Sequence, residues 1–252
     1  MLNAAVIIAA GRGGRLRPLT DSTPKPLIEM AGRSLIGRVI SFWLSQGITK
    51  LYYSLGYRWE MILAHLMDDE QSRRSFGGCF IDTTLPGTAY WIFNPLMARF
   101  DLPILVSTAD NIMKLDLRRV YEDYCKLGQP ACYIVPVPAC GQAGTLIEFD
   151  SSSRLVSRVS EGWHQKGLIG SGVQIINPKK IVSLTSSSYV VFQGIWAELI
   201  QRRRLYVSQV LPSAWYAIDD AAGLKKAQSD FDCEGPAKPK IELFNKVVTA
   251  TP

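Results

Sequence analysis

Residues 7–27 read IIAAGRGGRLRPLTDSTPKPL. An apolar run breaks into glycines set among arginines, then reaches a lysine held between two prolines. Residues 4–10 are uniformly apolar rather than alternating, the pattern of a strand covered on both faces in a parallel sheet. Gly11, Gly13 and Gly14 let backbone amides approach an anion that a Cβ would hold off. Arg12 and Arg15 add directed donors for phosphate oxygens. Lys25 lies in a segment stiffened by Pro24 and Pro26, and a lysine fixed beside an anion loop can cancel charge on a transferring phosphoryl group. Leu16 stands where a dinucleotide fingerprint needs its third glycine, and no Gly-Lys-Ser/Thr follows. Neither of those two phosphate-binding patterns is met.

Outward from this stretch, residues 34–46 carry apolar side chains at helical spacing and stop at Gly47. A strand is expected at 51–55, a helix at 59–67, a short strand at 80–81 and a helix at 88–99 interrupted by Pro95. Residues 104–107 form a strand ending at Ala109-Asp110-Asn111; Asp116 caps a helix running to Leu127, and 131–135 is the next strand. This β-loop-α rhythm predicts an α/β fold with a doubly wound, mostly parallel, Rossmann-like sheet. Ligands bind such sheets beyond the carboxyl ends of the strands, where residues 11–17 and 109–111 both fall. After Pro136 the pattern turns to strands at 146–149, 156–159 and 168–176, with helices at 178–184 and 192–203. Residues 215–218 lead into Asp219-Asp220 and a helix at 221–227. Residues 1–230 are expected to form one domain, in which 136–215 include a smaller β-rich part. Residues 231–252 read as a Pro- and Gly-bearing link with a short terminal helix at 241–248.

Composition narrows the function. The chain has 252 residues, 47% of them hydrophobic, enough for one large core. Residues 1–10 lack the basic segment of a signal peptide, and no stretch approaches the roughly 20 apolar residues that span a bilayer. A soluble, cytoplasmic protein without membrane association is expected. Five scattered cysteines with no C-x-x-C pair read as reduced thiols, and two histidines give little basis for a zinc site. A divalent metal would be held by carboxylates and phosphates, which suits magnesium. The net charge of +6 concentrates in the early arginines. Basic patches interleaved with exposed aromatics are lacking, so a small phosphorylated substrate fits better than a nucleic acid. Arg202-Arg203-Arg204 reads as the solvated end of a helix, complementing its dipole.

The segment G-R-G-G-R-L-R-P-L-T-D-S-T-P-K-P-L, residues 11–27, resembles the signature of the nucleotidyltransferases that activate sugar 1-phosphates, the NDP-sugar pyrophosphorylases. Their pattern is roughly G-x-G-T-R-L-x-P-L-T-x-x-x-P-K-P, and Gly14 stands where threonine or serine is usual. The resemblance implies a glycosyltransferase-A-like fold with a β-rich subdomain for the acceptor. It also implies roles. Ala10, Gly11, Arg12, Gly13 and Gly14 would wrap the nucleotide phosphates, Arg15 would grip the leaving pyrophosphate, and Lys25 would stabilise the α-phosphate under attack. Leu85-Pro86-Gly87-Thr88-Ala89 is similar to the family's P-L-G-T-A loop, which places Gly87 and Thr88 against the base and acceptor. Asp110 falls at the first metal carboxylate, and its A-D-N setting resembles the phosphocholine cytidylyltransferase branch. Trp215-Tyr216-Ala217-Ile218-Asp219-Asp220 resembles the closing segment. There Ala217 replaces the usual second carboxylate, so Asp219 is the expected second ligand and Asp220 a poor third; the lesser alternative is that the pair only caps the following helix.

The acceptor side departs further from the family. Glu161 stands in place of a Glu-Lys pair, with Lys166 or His164 as substitutes for the missing lysine. Ser171 replaces an asparagine that binds sugar hydroxyls, and has a shorter reach. Trp163, expected in a loop, fits stacking on a ligand as well as plain packing. The implied reaction is Mg2+-dependent transfer of a nucleoside monophosphate, from CTP or UTP in first place, to a sugar 1-phosphate with release of pyrophosphate. Phosphocholine or another small phosphorylated acceptor is the alternative, and a non-catalytic sugar-nucleotide sensor a minor one. A homodimer is left open. No hexapeptide-repeat extension follows, so a second activity is not expected.

Overall fold

Strand Ala4–Ala9 is wholly buried because its two faces feed two separate cores. Ala5, Ile7 and Ala9 enter one cluster, while Ala4, Val6 and Ile8 enter the other. The period-two alternation of a strand therefore demands apolar residues at every position. The computed structural model describes residues 2–84, 87–186 and 191–232. Leu85 and Pro86, Cys233, the expected link and the expected terminal helix lie outside the described residues.

Ala4–Ala9 pairs in parallel with Lys50–Leu55 on one side and with Ile104–Thr108 on the other. Phe76–Ile81 extends the parallel half beyond Lys50–Leu55. Successive units thus leave the first strand in opposite directions, which opens a crevice beyond its carboxyl end. The residue after that end is Ala10, and the glycine loop follows. Helix Leu35–Ser45 returns the chain. Ser34 caps it by accepting a hydrogen bond from the Gly37 amide at 3.1 Å, and Leu35, Ile36, Val39, Ile40 and Trp43 face the core. Gly47, at φ +89°, turns the chain out of the helix.

The other half of the sheet is antiparallel except at its edge, where one short strand pairs in parallel. Leu168–Ile176 runs against both Ile104–Thr108 and Cys132–Pro138, and Leu205–Val207 adds to the outer edge of Cys132–Pro138. The hairpin Gln142–Phe149/Val156–His164 joins through Leu168 and Ile169. Nine of the thirteen strands among the described residues form one mixed sheet, flanked by helices and extended by this smaller β-rich part. The Rossmann-like α/β fold expected from the sequence holds, with a largely antiparallel half beside the parallel one where a mostly parallel sheet was expected.

Several local expectations change. Phe76–Ile81 is longer than the expected 80–81. Gly77 hid it, yet a Cβ there would come within 2.8 Å of the Tyr52 ring, so the strand needs that glycine. Residues 88–99 form two short 3-10 turns, Tyr90–Phe93 and Met97–Arg99, rather than an α-helix. The Asn94 side chain accepts from the Leu96 amide across Pro95 and holds the break. Strand Val156–His164 runs well past the expected 156–159, so Trp163 lies in a strand and not in a loop.

The antiparallel half is tied to helix Leu117–Lys126 by one carboxylate. Asp123 accepts from Arg154 Nη1 at 2.5 Å, from the Tyr133 hydroxyl, and from the Gln209 amide at 3.2 Å. Its side chain is 11% exposed and that of Arg154 is 10% exposed. Burial pushes the Asp123 carboxyl up, but the hydrogen bonds from Arg154, Tyr133 and the Gln209 amide outweigh it and hold the group below its ordinary value. We predict that Asp123→Ala, which leaves a buried guanidinium without its partner, lowers unfolding free energy by about 3–5 kcal/mol in urea denaturation at pH 7. A depressed folded-state value stabilises the protein above the unfolded carboxyl's pKa, near roughly 4, and that contribution disappears as pH falls through the folded value. The gap between variant and wild type therefore narrows on acidification.

Candidate active site

The glycine loop and Lys25 are built against each other. Gly13 has φ +69°, and a Cβ at this position would lie 2.7 Å from Lys25 Cβ. The left-handed backbone and the close approach both require glycine. The Gly13 carbonyl accepts from Thr20 Oγ1 and from the Leu16 amide, each at 3.0 Å, which fixes the turn Gly14–Leu16. By contrast, a Cβ at Gly11 or Gly14 meets nothing within 4 Å. The side chain usual at position 14 is therefore missing without a steric cause. Lys25 opens the 3-10 turn Lys25–Leu27, with Pro24 extended before it, and only 8% of the residue is exposed.

Two carboxylates from distant segments meet this lysine. Past strand Ile104–Thr108, the Ala109 amide donates to Ile8 O at 2.9 Å, which keeps the chain beside the first strand. Strand Asn111–Lys114 then pairs antiparallel with Ala214–Ala217, Asn111 opposite Ala217, and the Ile218 amide donates to Asp110 O at 3.1 Å. This short ladder places Asp110 and Asp219 side by side. Lys25 Nζ donates to Asp110 Oδ2 at 2.5 Å and to Asp219 Oδ1 at 3.0 Å; Arg15 Nη2 reaches the same Asp219 oxygen at 3.0 Å. Burial alone would lower the Lys25 pKa, but the charges and hydrogen bonds of Asp110 and Asp219 together outweigh it, and the ammonium titrates above its ordinary value.

Asp220 has a different job. Its Oδ1 accepts from the Gly223 amide at 2.8 Å, capping helix Ala221–Asp232. The two readings of Asp219-Asp220 are divided between neighbours, leaving Asp219 to the lysine and Asp220 to the helix.

Gly11, Gly13, Gly14, Arg15, Lys25, Asp110 and Asp219 surround a cavity of about 460 Å3, floored by Ile8, Ala9, Pro26 and Ala109. Cationic and anionic groups converge on a space that glycines leave open to an anion. No group of three or more histidine, cysteine, aspartate or glutamate side chains among the described residues is arranged to hold a metal alone. The donor set is two carboxylates, both within 3.0 Å of one ammonium. A hard cation that completes its shell with phosphate oxygens and water fits that set.

Other expected site residues stand outside this lining. The Ala10 carbonyl accepts from the Tyr57 amide at 3.0 Å, and Arg12 lies over the Tyr57 ring. Thr88, beside the buried Gly87, takes the Phe192 amide on its hydroxyl at 3.3 Å and the Trp91 indole on its carbonyl at 3.0 Å. Glu161 Oε1 accepts from the Thr145 hydroxyl and from Gln193 Nε2. Trp163 is 67% exposed. Lys166 is exposed just past the strand that His164 ends. Ser171 is fully buried, with its hydroxyl donated to Val135 O at 2.6 Å, so that hydroxyl is engaged internally rather than offered to an acceptor.

One joint escaped the sequence. The Ser171 carbonyl accepts from Asn111 Nδ2 and from Trp215 Nε1, both at 2.9 Å. Gly172, at φ +82°, would place a Cβ 2.2 Å from Asn111 Nδ2. It lies where the register of Leu168–Ile176 shifts against Cys132–Pro138, and bulges of this kind re-aim chains beside sites. The G-S-G run was the available signal.

Residues 4–166 match the family described as Nucleotidyl transferase. The chain belongs to that family. It is 27% identical over 247 residues to mannose-1-phosphate guanylyltransferase 1 of Arabidopsis thaliana, covering 93% of this chain and 67% of the plant protein. It is likewise 27% identical over 232 residues to N-acetylmuramate alpha-1-phosphate uridylyltransferase of Neisseria meningitidis serogroup B, covering 89% and 96% respectively. Its fold matches the CTP:phosphocholine cytidylyltransferase from Streptococcus pneumoniae with a TM-score of 0.68 at 21% identity, covering 91% of this chain and all of that one. The three relatives are named for three different bases. No helix among the described residues is long and apolar enough to cross a membrane.

The two kinds of glycine in the loop separate in a stability measurement. Gly13→Ala is expected to lower unfolding free energy by about 2 kcal/mol or more, since it combines a left-handed alanine with displacement of Lys25. Gly14→Ser is expected to change it by less than about 0.5 kcal/mol. Equal losses in denaturant melts would contradict the geometry.

Proposed function

We propose that this chain transfers a nucleoside monophosphate from a nucleoside triphosphate to a sugar 1-phosphate, forming an NDP-sugar and pyrophosphate. The observation that carries the reading is the convergence of Lys25 and Arg15 on Asp110 and Asp219 at the rim of the glycine-lined cavity. An acceptor phosphate oxygen attacks the α-phosphorus; the bond from that phosphorus to the bridging oxygen breaks, and pyrophosphate leaves with the electron pair. The attacking phosphate is already ionised, so no protein base is needed.

The amides around Gly11–Gly14 would cradle the phosphates. Lys25, fully charged at neutral pH, would hold negative charge at the α-phosphate, and Arg15 would meet the departing pyrophosphate. Asp110 and Asp219 would hold magnesium, which supplies charge neutralisation across the triphosphate. The ion pairs in the free protein keep these groups at the rim of the cavity before any ligand enters, which lowers the ordering cost of the reaction.

A sugar 1-phosphate is favoured over phosphocholine for a physical reason. The asparagine that gives A-D-N its cytidylyltransferase flavour uses its amide on Thr108 Oγ1, at 2.7 Å, and on the Ser171 carbonyl. That structural duty explains Asn111 without reference to the acceptor. UTP and GTP rank beside CTP as donors, because the relatives above are named for all three bases.

Pyrophosphate release in magnesium, with four nucleoside triphosphates crossed against a panel of sugar 1-phosphates and phosphocholine, tests the proposal. One productive pair with a sugar 1-phosphate is expected, abolished by a chelator and restored by added magnesium. Lys25→Ala and Asp110→Asn are each expected to lower kcat/KM by about 100-fold or more while the circular dichroism stays that of the wild type. Undiminished turnover in Lys25→Ala would sink the assignment.

A further inference from the structure

The arginine run at 202–204 has no part in the reaction above, and the fold sets it on the rim of the sheet opposite the cavity. Strands Ala4–Ala9 and Ile104–Thr108 end at the cavity, so their first residues mark the far rim. Register places Lys50 beside Ala4, Ile176 beside both Ile104 and Cys132, and Leu205 beside Cys132. These strand ends form one row, about 24 Å across at the ordinary spacing of strands. Cations line it. Lys50 opens its strand, and Lys126 closes helix Leu117–Lys126. Lys179 and Lys180 stand in the first turn of helix Pro178–Leu184, where Lys180 Nζ donates to Gln129 O at 2.7 Å. Arg202, Arg203 and Arg204 carry the chain from helix Phe192–Gln201 into Leu205–Val207.

Charge on this rim is unbalanced. Asp101 answers Lys179 at 2.7 Å, and Glu198 answers Arg202 at 3.1 Å. Among the described residues Lys50, Lys126, Arg203 and Arg204 form no ion pair, and all four are exposed. Helix dipoles account for Lys126 and Arg202, but Lys179 and Lys180 stand at the positive end of their helix, where a cation is unfavourable. Arg203 has φ +55°, with its amide on Ile200 O at 2.9 Å. Glycine is the usual residue at such a helix end, so the chain keeps a cation there against its backbone preference. Exposed leucines accompany the charge. The Lys179 amide donates to Phe100 O at 3.2 Å, which holds the segment before Ile104 against the lysine-bearing turn. On that segment Leu96 is 80% exposed and Leu102 59% exposed. The display is fixed, because Asn94 accepts from the Leu96 amide at 3.0 Å and from the Ala98 amide at 2.8 Å. A nucleic acid would use the cations but takes its apolar contacts from aromatic rings stacked on bases. Aliphatic side chains beside a basic row fit headgroup phosphates above an acyl boundary.

We propose that this rim docks on an anionic lipid bilayer, with its lysines and arginines against the headgroup phosphates and Leu96 and Leu102 entering the interface. The contact is with the membrane surface alone, since no helix among the described residues is long and apolar enough to cross. The expectation of no membrane association rested on the lack of an inserting segment, and a surface contact needs none. Docking by this rim leaves the cavity, at the other ends of the strands, facing water and open to its substrates. The inference does not depend on the reaction proposed above.

Cosedimentation with lipid vesicles tests the surface without turnover. The chain is expected to pellet with phosphatidylcholine vesicles that carry about one-third phosphatidylglycerol, and to stay in solution with phosphatidylcholine alone. Binding is expected to weaken as potassium chloride screens the charges. Arg203→Gln combined with Arg204→Gln should weaken it by at least about tenfold. Leu96→Ser combined with Leu102→Ser should also weaken it, by about tenfold. All four side chains are exposed, so thermal melts followed by circular dichroism should stay those of the wild type. A wild type that ignores anionic vesicles, or that binds neutral ones equally well, would overturn the proposal. So would wild-type affinity in the arginine pair. Leucine variants that keep full vesicle affinity would overturn it too, because charge alone would then serve, and a nucleic acid or an acidic protein would fit the rim as well as a bilayer does.

Discussion

The site depends on one buried ammonium. Lys25 is drawn out of water by the loop that carries it, which by itself disfavours its charge. It remains charged because Asp110 and Asp219 come to it from opposite ends of the sequence. An unpartnered lysine in that position would lose its proton or pull the loop apart. The carboxylates need it equally, since two like charges side by side are stable only when something positive lies between them. Folding the loop, ending the strand at Asp110 and closing the chain onto Asp219 are therefore one electrostatic event.

The remaining architecture brings those three groups together. The central strand delivers the glycine loop to a crevice, and its parallel neighbour delivers Ala109 and Asp110 beside it. The short ladder between Asn111–Lys114 and Ala214–Ala217 carries the late segment back across the sheet. Behind the ladder, Asn111 and Trp215 share the carbonyl of Ser171. The antiparallel half is thus fastened beside Asp110 and Asp219 by two side chains that share one backbone carbonyl. Gly172 makes this joint for the same reason Gly13 makes the loop, since another side chain needs the space a Cβ would fill.

Much of this was legible in the sequence. A strand apolar at every position pointed to a place between two cores, and glycines followed by a proline-clamped lysine pointed to a constrained loop with room for an anion. Asp110 and Asp219 were readable from motif order, and the structure brings both to Lys25. What escaped was whatever depended on pairing between distant segments. The Asn111–Lys114 ladder is too short to leave a hydrophobic period, and Gly77 disguised a strand because its fitness lies in Tyr52. Ser171 read as an acceptor contact because its motif position suggested sugar, yet its hydroxyl turns inward to Val135. Tyr57 belongs to no motif, and only the fold reveals that it stands against Ala10.

The most direct test of this account is the titration of the Lys25 ammonium, followed by NMR in protein carrying 13C-labelled lysine and assigned with Lys25→Arg. The account predicts a pKa above the ordinary 10.5, shifting downward in Asp219→Asn as one of the two opposing charges is removed. A Lys25 that titrates below 10.5 in the wild type, or that ignores Asp219→Asn, would mean that the lysine is not held between the two carboxylates, and the proposed site would lose its centre.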